Sequence, residues 1–336
     1  MLSNSLSRTK RSRISSAIGL GVLGVVLAAS LWLVLNRQYV VDQLTVWQYA
    51  PPAEVTAIAG RAKLASKGEF YLYASRAQVD SAEKFNQYCQ KVEEHSAILG
   101  CYAGGQIYIY DVDNQQLDGI KEVTAVHEML HAAWDRLSRH EQSELSALLE
   151  TEYTKHADKE LEERMGYYAR AQPGERANEL HSIVGSEMRN ISPELEQHYK
   201  QYLSDRSVVV SLHERYASVF TAVKAESDAL EAQLSTLADS IDAATAQYNS
   251  AVATLNSDVV SFNSRAQGGG FTSQSQFASE RSALVSRSAA LDSDRQKITA
   301  DIATYQQLLG KLREVNSRSE ALNRSIDSTL TPSQSI

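Results

Sequence analysis

From about Leu212 to Leu330 the chain contains no proline, and within that stretch an apolar heptad runs twice. Leu234, Ile241, Tyr248, Leu255 and Phe262 recur every seven residues, and so do Phe277, Leu284, Leu291, Ile298, Tyr305 and Leu312. Sustained heptads predict long helices packed along a seam. The two series mirror each other about Gly268-Gly269-Gly270: Phe262 pairs with Phe277, Leu255 with Leu284, Tyr248 with Leu291 and Ile241 with Ile298 around one centre. Two independent helices have no reason to share a centre. The expectation is an all-α antiparallel coiled-coil hairpin over 211–330, with its turn near 266–276. That register sets Asp258 against Arg281. Each arm of about 50 residues reaches on the order of 75 Å at 1.5 Å per residue. Ala244, Ala251, Ser288 and Arg295 thin the seam, so the hairpin is expected to need a protein partner or the globular part to stay firm.

The opposite end of the chain points to a membrane. Ile14 to Leu35 carries no charged residue, and a span needs about 20 apolar residues. Arg8, Lys10, Arg11 and Arg13 precede it, and no acidic residue appears before Asp42. The positive-inside bias then makes 1–13 a cytoplasmic tail, 14–35 a transmembrane signal anchor and the rest extracytoplasmic, at the plasma membrane. A cleaved signal peptide is the competing reading, but the apolar run continues past Ala28-Ala29, and a signal h-region has about 7–15 residues. The two cysteines, Cys89 and Cys101, would then lie in an oxidising compartment that permits a disulfide. The net charge of −8 is spread along the chain with no basic patch after the tail, which argues against nucleic acid as a partner.

Between these ends, 36–50 reads as a stalk closed by Pro51-Pro52, and 51–210 as a compact domain. GEFYLYAS (68–75) has the aromatic and apolar content of a strand, and SAEKFNQYCQKVEEHSAIL (81–99) a helical period after a serine cap. GQIYIYDV (105–112) alternates as a strand after a Gly104-Gly105 turn, the second arm of a hairpin with ILGCYA. It is expected to offer a sheet edge to extended substrate.

Chemistry concentrates in VTAVHEMLHAAWDRL (123–137). On a helix His127 and His131, four apart, share a face and can reach one ion. Zinc accepts neutral imidazole nitrogens at about 2.0–2.1 Å. Glu128 lies about 100° around the helix, beyond easy ligation, but can take a proton from water whose pKa zinc lowers to about 7. Apart from Glu128, no charge appears between Val123 and Asp135, as a buried active-site helix requires.

In these residues the chain resembles the zincin metallopeptidases, whose active-site helix carries such HExxH motifs. Trp134 and Leu137 stand where the metzincin branch would have glycine and histidine. The gluzincin branch, thermolysin-like in outline, takes its third ligand from a glutamate on a later helix, often within Asn-Glu. That pair occurs in PGERANELHSIVGSEM (173–188), so the resemblance implies Glu179 as the third ligand. It departs from the thermolysin-like pattern at Ile183, where an aspartate often orients a zinc-bound histidine. Glu175, Glu187 and His181 remain alternatives for the third place. His181, Tyr167 and Tyr168 are candidates for stabilising an oxyanion.

The resemblance implies an α+β zincin-like domain and hydrolysis of peptide bonds, with Zn2+ as cofactor, Glu128 as general base and a peptide or protein as substrate. A coiled-coil envelope scaffold or binding protein with a degenerate zincin-like domain is the rival reading, and a cell-wall-directed hydrolase a third. The intact Glu128 argues against degeneracy, since a structural metal site has no use for a base.

Overall fold

The computed structural model describes residues 6–89, 98–171 and 173–329. They form two units: Met1–Ala217 with Arg324–Ile336, and Ser218–Asn323. In chain order the helices are α1 (Leu6–Leu35), α2 (Arg37–Gln48), α3 (Ala53–Arg61), α4 (Ser66–Ala74), α5 (Ala82–Tyr88), α6 (Ile120–Trp134), α7 (Arg139–His156), α8 (Lys159–Ala171), α9 (Arg176–Ser186), α10 (Pro193–Tyr199), α11 (Arg206–Gln267) and α12 (Gln274–Ile326). The strands are β1 (Gln78–Asp80), β2 (Gly100–Ala103) and β3 (Gln106–Tyr110).

The expected α+β zincin-like domain is not what forms. The protein is 78% helical, and the sheet among the described residues has three strands of 3, 4 and 5 residues. The core of the first unit is built on helices around α6, of which all residues but Lys121 and His127 are buried. The sheet order is β1-β3-β2: β1 pairs with β3 in parallel (Val79 opposite Ile109) and β2 pairs with β3 antiparallel (Cys101 opposite Tyr108). Gly104 and Gly105 make the hairpin turn at φ +60° and +77°, a left-handed pair that side chains resist. Because β1 pairs with β3, the strand expected at the sheet edge lies in the middle. β1 and β2 are the outer strands instead.

Residues 68–74 are helical, not a strand, and Ser75 caps the helix. Gly68 and Leu72, four apart, are buried, and a Cβ on Gly68 would stand 2.2 Å from the Tyr202 carbonyl oxygen. Close backbone packing against Tyr202 outweighs the aromatic content, because β-propensity is a weak local preference. The region expected as a stalk also folds: α2 packs on α4 and buries Asp42. Of the helix expected over 81–99, α5 forms the first part, and 90–97 lie outside the described residues.

No single helix among the described residues is long and apolar enough to cross a membrane, which corrects the expected transmembrane anchor. At Asn36 the chain bends by 79° into α2, and only the bent pair together has the required length and composition.

The second unit contains most of α11 and α12, which lie antiparallel. Asp258 pairs with Arg287 (2.6 Å), Arg265 with Glu280, and Glu226 with Arg318. Phe262, Phe271 and Phe277 cluster at the turn, with ring centroids 5.1–5.2 Å apart. Asp258 therefore reaches past Arg281. A long guanidinium side chain bonds diagonally along the helix pair, so the apolar register does not dictate which charges meet.

Candidate functional site

Two antiparallel helices build the site. One turn of α6 separates His127 from His131, whose rings meet edge to face with centroids 4.8 Å apart. Their Nε2 atoms lie 3.1 Å from each other. Across from them, α9 presents Glu179, with Oε2 3.7 Å from His127 Nε2 and Oε1 3.7 Å from His131 Nε2. Gly185 makes the close helix approach possible, since a Cβ there would stand 2.5 Å from Leu130 Cδ1 and 2.6 Å from Tyr199. One ligand atom from each of His127, His131 and Glu179 lies within 4.8 Å of the other two, so the group could hold a metal ion. Glu179 is almost fully buried and its Oε2 has no hydrogen-bond partner. A buried carboxylate oxygen aimed at two imidazoles suits a cation.

The surroundings orient the ligands. Asn178 Oδ1 lies 2.9 Å from His131 Nδ1, and its amide nitrogen donates to Glu175 Oε2 at 3.0 Å. An accepting Oδ1 keeps the proton on Nδ1 and leaves the Nε2 lone pair for the ion. On the other side His127 Nδ1 is 3.9 Å from Glu187 Oε1, and Arg164 grips Glu187 through two hydrogen bonds of 2.8 and 2.6 Å. Burial disfavours the charged Glu187, but the Arg164 charge overrides it and brings its pKa down to about 2.

Electrostatics separate the two carboxyls. Burial opposes ionisation of Glu179, yet the facing His127 and His131 imidazoles and the Arg164 charge hold its pKa below the usual carboxylate range. Glu128 is pushed up to about 7, chiefly by burial and also by the Glu179 charge, against the opposing pull of His127. His127 is raised because the facing Glu179 carboxylate and the Glu128 and Glu187 charges together outweigh its burial. His131 is lowered by burial and by the His127 charge. Neighbouring groups thus sit in opposite protonation regimes, the pattern of acid–base sites.

A cleft of about 730 Å³ opens over these groups, walled by Tyr102 of β2, Tyr167 and Tyr168 of α8, and Tyr216 of α11. Tyr168 is held protonated by burial and by the Glu179 charge, so its hydroxyl remains a donor. Tyr167 also lines the cleft and packs edge-on against Tyr168. His181 lies elsewhere. It is fully buried beside Trp134, with Nε2 2.9 Å from His198 Nε2, and does not line the cleft. Glu175 is exposed at the start of α9 and engaged by Asn178. Cys89 and Cys101 form a disulfide with Cα atoms 5.8 Å apart. Asn178, Arg164, Gly100 and Tyr102 escaped the sequence reading. Only Asn178 left a signal, as the first half of the Asn-Glu pair.

No protein-family model matches the chain, and neither a curated protein nor a solved structure matches it.

Proposed function

We propose that the chain is a zinc-dependent hydrolase of peptide bonds, in which His127, His131 and Glu179 hold the ion and Glu128 is the general base. The observation that carries this reading is the convergence of the three ligand atoms from α6 and α9 under an open cleft, with Glu128 beside them. Two nitrogens on a tetrahedral ion at about 2.0–2.1 Å stand roughly 3.3 Å apart, close to the 3.1 Å between the imidazole Nε2 atoms. Two imidazoles and one carboxylate are a catalytic zinc donor set that leaves a position open.

Zinc, when bound, acts as a Lewis acid that polarises a carbonyl and makes water more acidic. Glu128 accepts the proton of the attacking water and then delivers it to the leaving amine. Tyr168 donates its hydroxyl to the carbonyl oxygen as charge develops there, a role that His181 is too deeply buried to share. The outer strand β2 along the cleft supports a peptide substrate, because a sheet edge can hydrogen-bond an extended chain. The Cys89–Cys101 disulfide supports an oxidising compartment.

The test is zinc analysis and peptide hydrolysis by the full chain, with Glu128→Gln as control. The expectation is about one zinc per chain in both proteins, with hydrolysis reduced by roughly 10²–10⁴-fold in the variant. A wild-type protein that lacks zinc and takes up none on dialysis would refute the reading.

A further inference from the structure

β2 divides its residues between two faces, and each face has a different task. Gly100 and Tyr102 lie opposite Ile109 and Ile107, which belong to the core around α6. Cys101 lies opposite Tyr108, which packs with Phe85 and Cys89 in a separate cluster. Alternation along a strand requires this division. On the α6 side the Tyr102 backbone N–H favours the ionised form of the Glu128 carboxylate. Gly100 lies so close that a Cβ would stand 2.8 Å from Glu128 Cγ, 2.9 Å from Glu128 Oε1 and 2.5 Å from Thr124 Cγ2. On the other side the disulfide joins Cys101 to the end of α5, twelve residues earlier in the chain. β2 has only four residues and one partner strand, so this covalent tie is a principal constraint on where its backbone stands.

We propose that the Cys89–Cys101 disulfide is a positioning device for Glu128: it holds β2 against α6 so that the Tyr102 N–H and the bare Gly100 backbone fix the carboxylate. The catalytic consequence rests on the hydrolase reading above, whereas the structural one does not. Reducing the bond releases the strand without touching the groups that hold the ion. A dithiol is the co-reactant. Its thiolate attacks Sγ of Cys101, the less buried of the two cysteines, and the S–S electron pair leaves with Cys89, which takes a proton. The second thiol then attacks the mixed disulfide and frees the Cys101 thiolate. One protein disulfide is reduced and one dithiol is oxidised.

The experiment compares the oxidised full chain, the dithiol-reduced chain, Cys89→Ser/Cys101→Ser and Gly100→Ala. Three quantities are read: the Tyr102 amide by NMR and hydrogen exchange, zinc content, and kcat against KM for peptide hydrolysis. In the oxidised protein Glu128→Gln should shift the Tyr102 amide resonance, which tests whether the two groups meet. Reduction and the double serine variant should speed Tyr102 exchange at least tenfold and leave Ile107 of β3 and Leu130 of α6 protected. Zinc should stay bound, and kcat should fall about tenfold with KM little changed. Gly100→Ala, which keeps the disulfide, should displace the same amide resonance. An unchanged Tyr102 amide after reduction would overturn the proposal. So would loss of protection throughout α6, because the disulfide would then hold the fold and not the strand. If the oxidised chain hydrolyses no peptide, the hydrolase reading fails, and the amide measurements still decide this one.

Discussion

Asp42 and Arg136 form a buried ion pair whose removal should cost more than any surface charge. Arg136 Nε and Nη2 donate to the two Asp42 carboxylate oxygens, each at 2.8 Å, and the side chains are only 6% and 4% exposed. Burial alone would lower the Arg136 pKa, but the Asp42 hydrogen bond and charge raise it above its ordinary value. Asp42→Ala strands the guanidinium with the Ala132 carbonyl at 2.6 Å and the Tyr71 ring at 5.0 Å. Breaking one side of a buried pair costs about 3–5 kcal/mol, and those remaining contacts place this case near 3. Arg136→Met leaves the carboxylate with Gln38 Nε2 at 2.9 Å, so a similar loss of about 3 kcal/mol is expected. The double variant should lose far less than the sum, with a coupling of about 2–3 kcal/mol, because no charge is then left unpaired. Urea unfolding followed by tryptophan fluorescence is a suitable assay, since Trp32, Trp47 and Trp134 all belong to the first unit. A loss below about 1 kcal/mol for either single variant, or additivity in the cycle, would refute the reasoning. It would also free 37–48 from the core and restore the stalk.

Asn178→Ala should weaken zinc binding about 10–100-fold in a chelator competition while the fold persists, because it removes only the group that orients His131. Gly185→Ala should cost about 1–3 kcal/mol in urea unfolding and also weaken zinc binding, since the new methyl group pushes α9 and Glu179 away from α6. Acid should destabilise the first unit through His198. Burial, then the Lys67 charge, lowers its pKa to about 4 against the pull of Glu141, while His181 faces it at 2.9 Å and Gln201 at 3.4 Å. A lowered histidine is fully stabilising above its unfolded value of about 6.5 and loses that contribution as pH falls toward 4. The loss is on the order of 2 kcal/mol after allowance for partial exposure. His198→Gln should flatten the urea midpoint between pH 7 and 4.5; an equally steep profile would exclude His198 as the source.

What the sequence revealed and what it concealed divide by the range of the interaction. The His127–His131 pair was legible because a spacing of four is a property of one helix. Glu179 could be named only from a neighbouring Asn-Glu, since its meeting with the histidines depends on how α9 crosses α6, and Gly185 decides that from six residues away. The same division explains the errors. Residues 68–75 carry the aromatic content of a strand, but the Gly68 contact with Tyr202, 134 residues on, makes a helix the better-packed choice. Residues 105–112 alternate as a strand should, yet alternation says nothing about which neighbours a strand acquires; the three-residue β1 was enough to move it from the edge to the middle. That displacement changes the chemistry. With β3 in the middle, β2 comes to lie along α6, and its Tyr102 N–H, invisible to any side-chain motif, becomes the group that meets Glu128. A motif search reads side chains, whereas this partner of the base is a backbone atom placed by strand order.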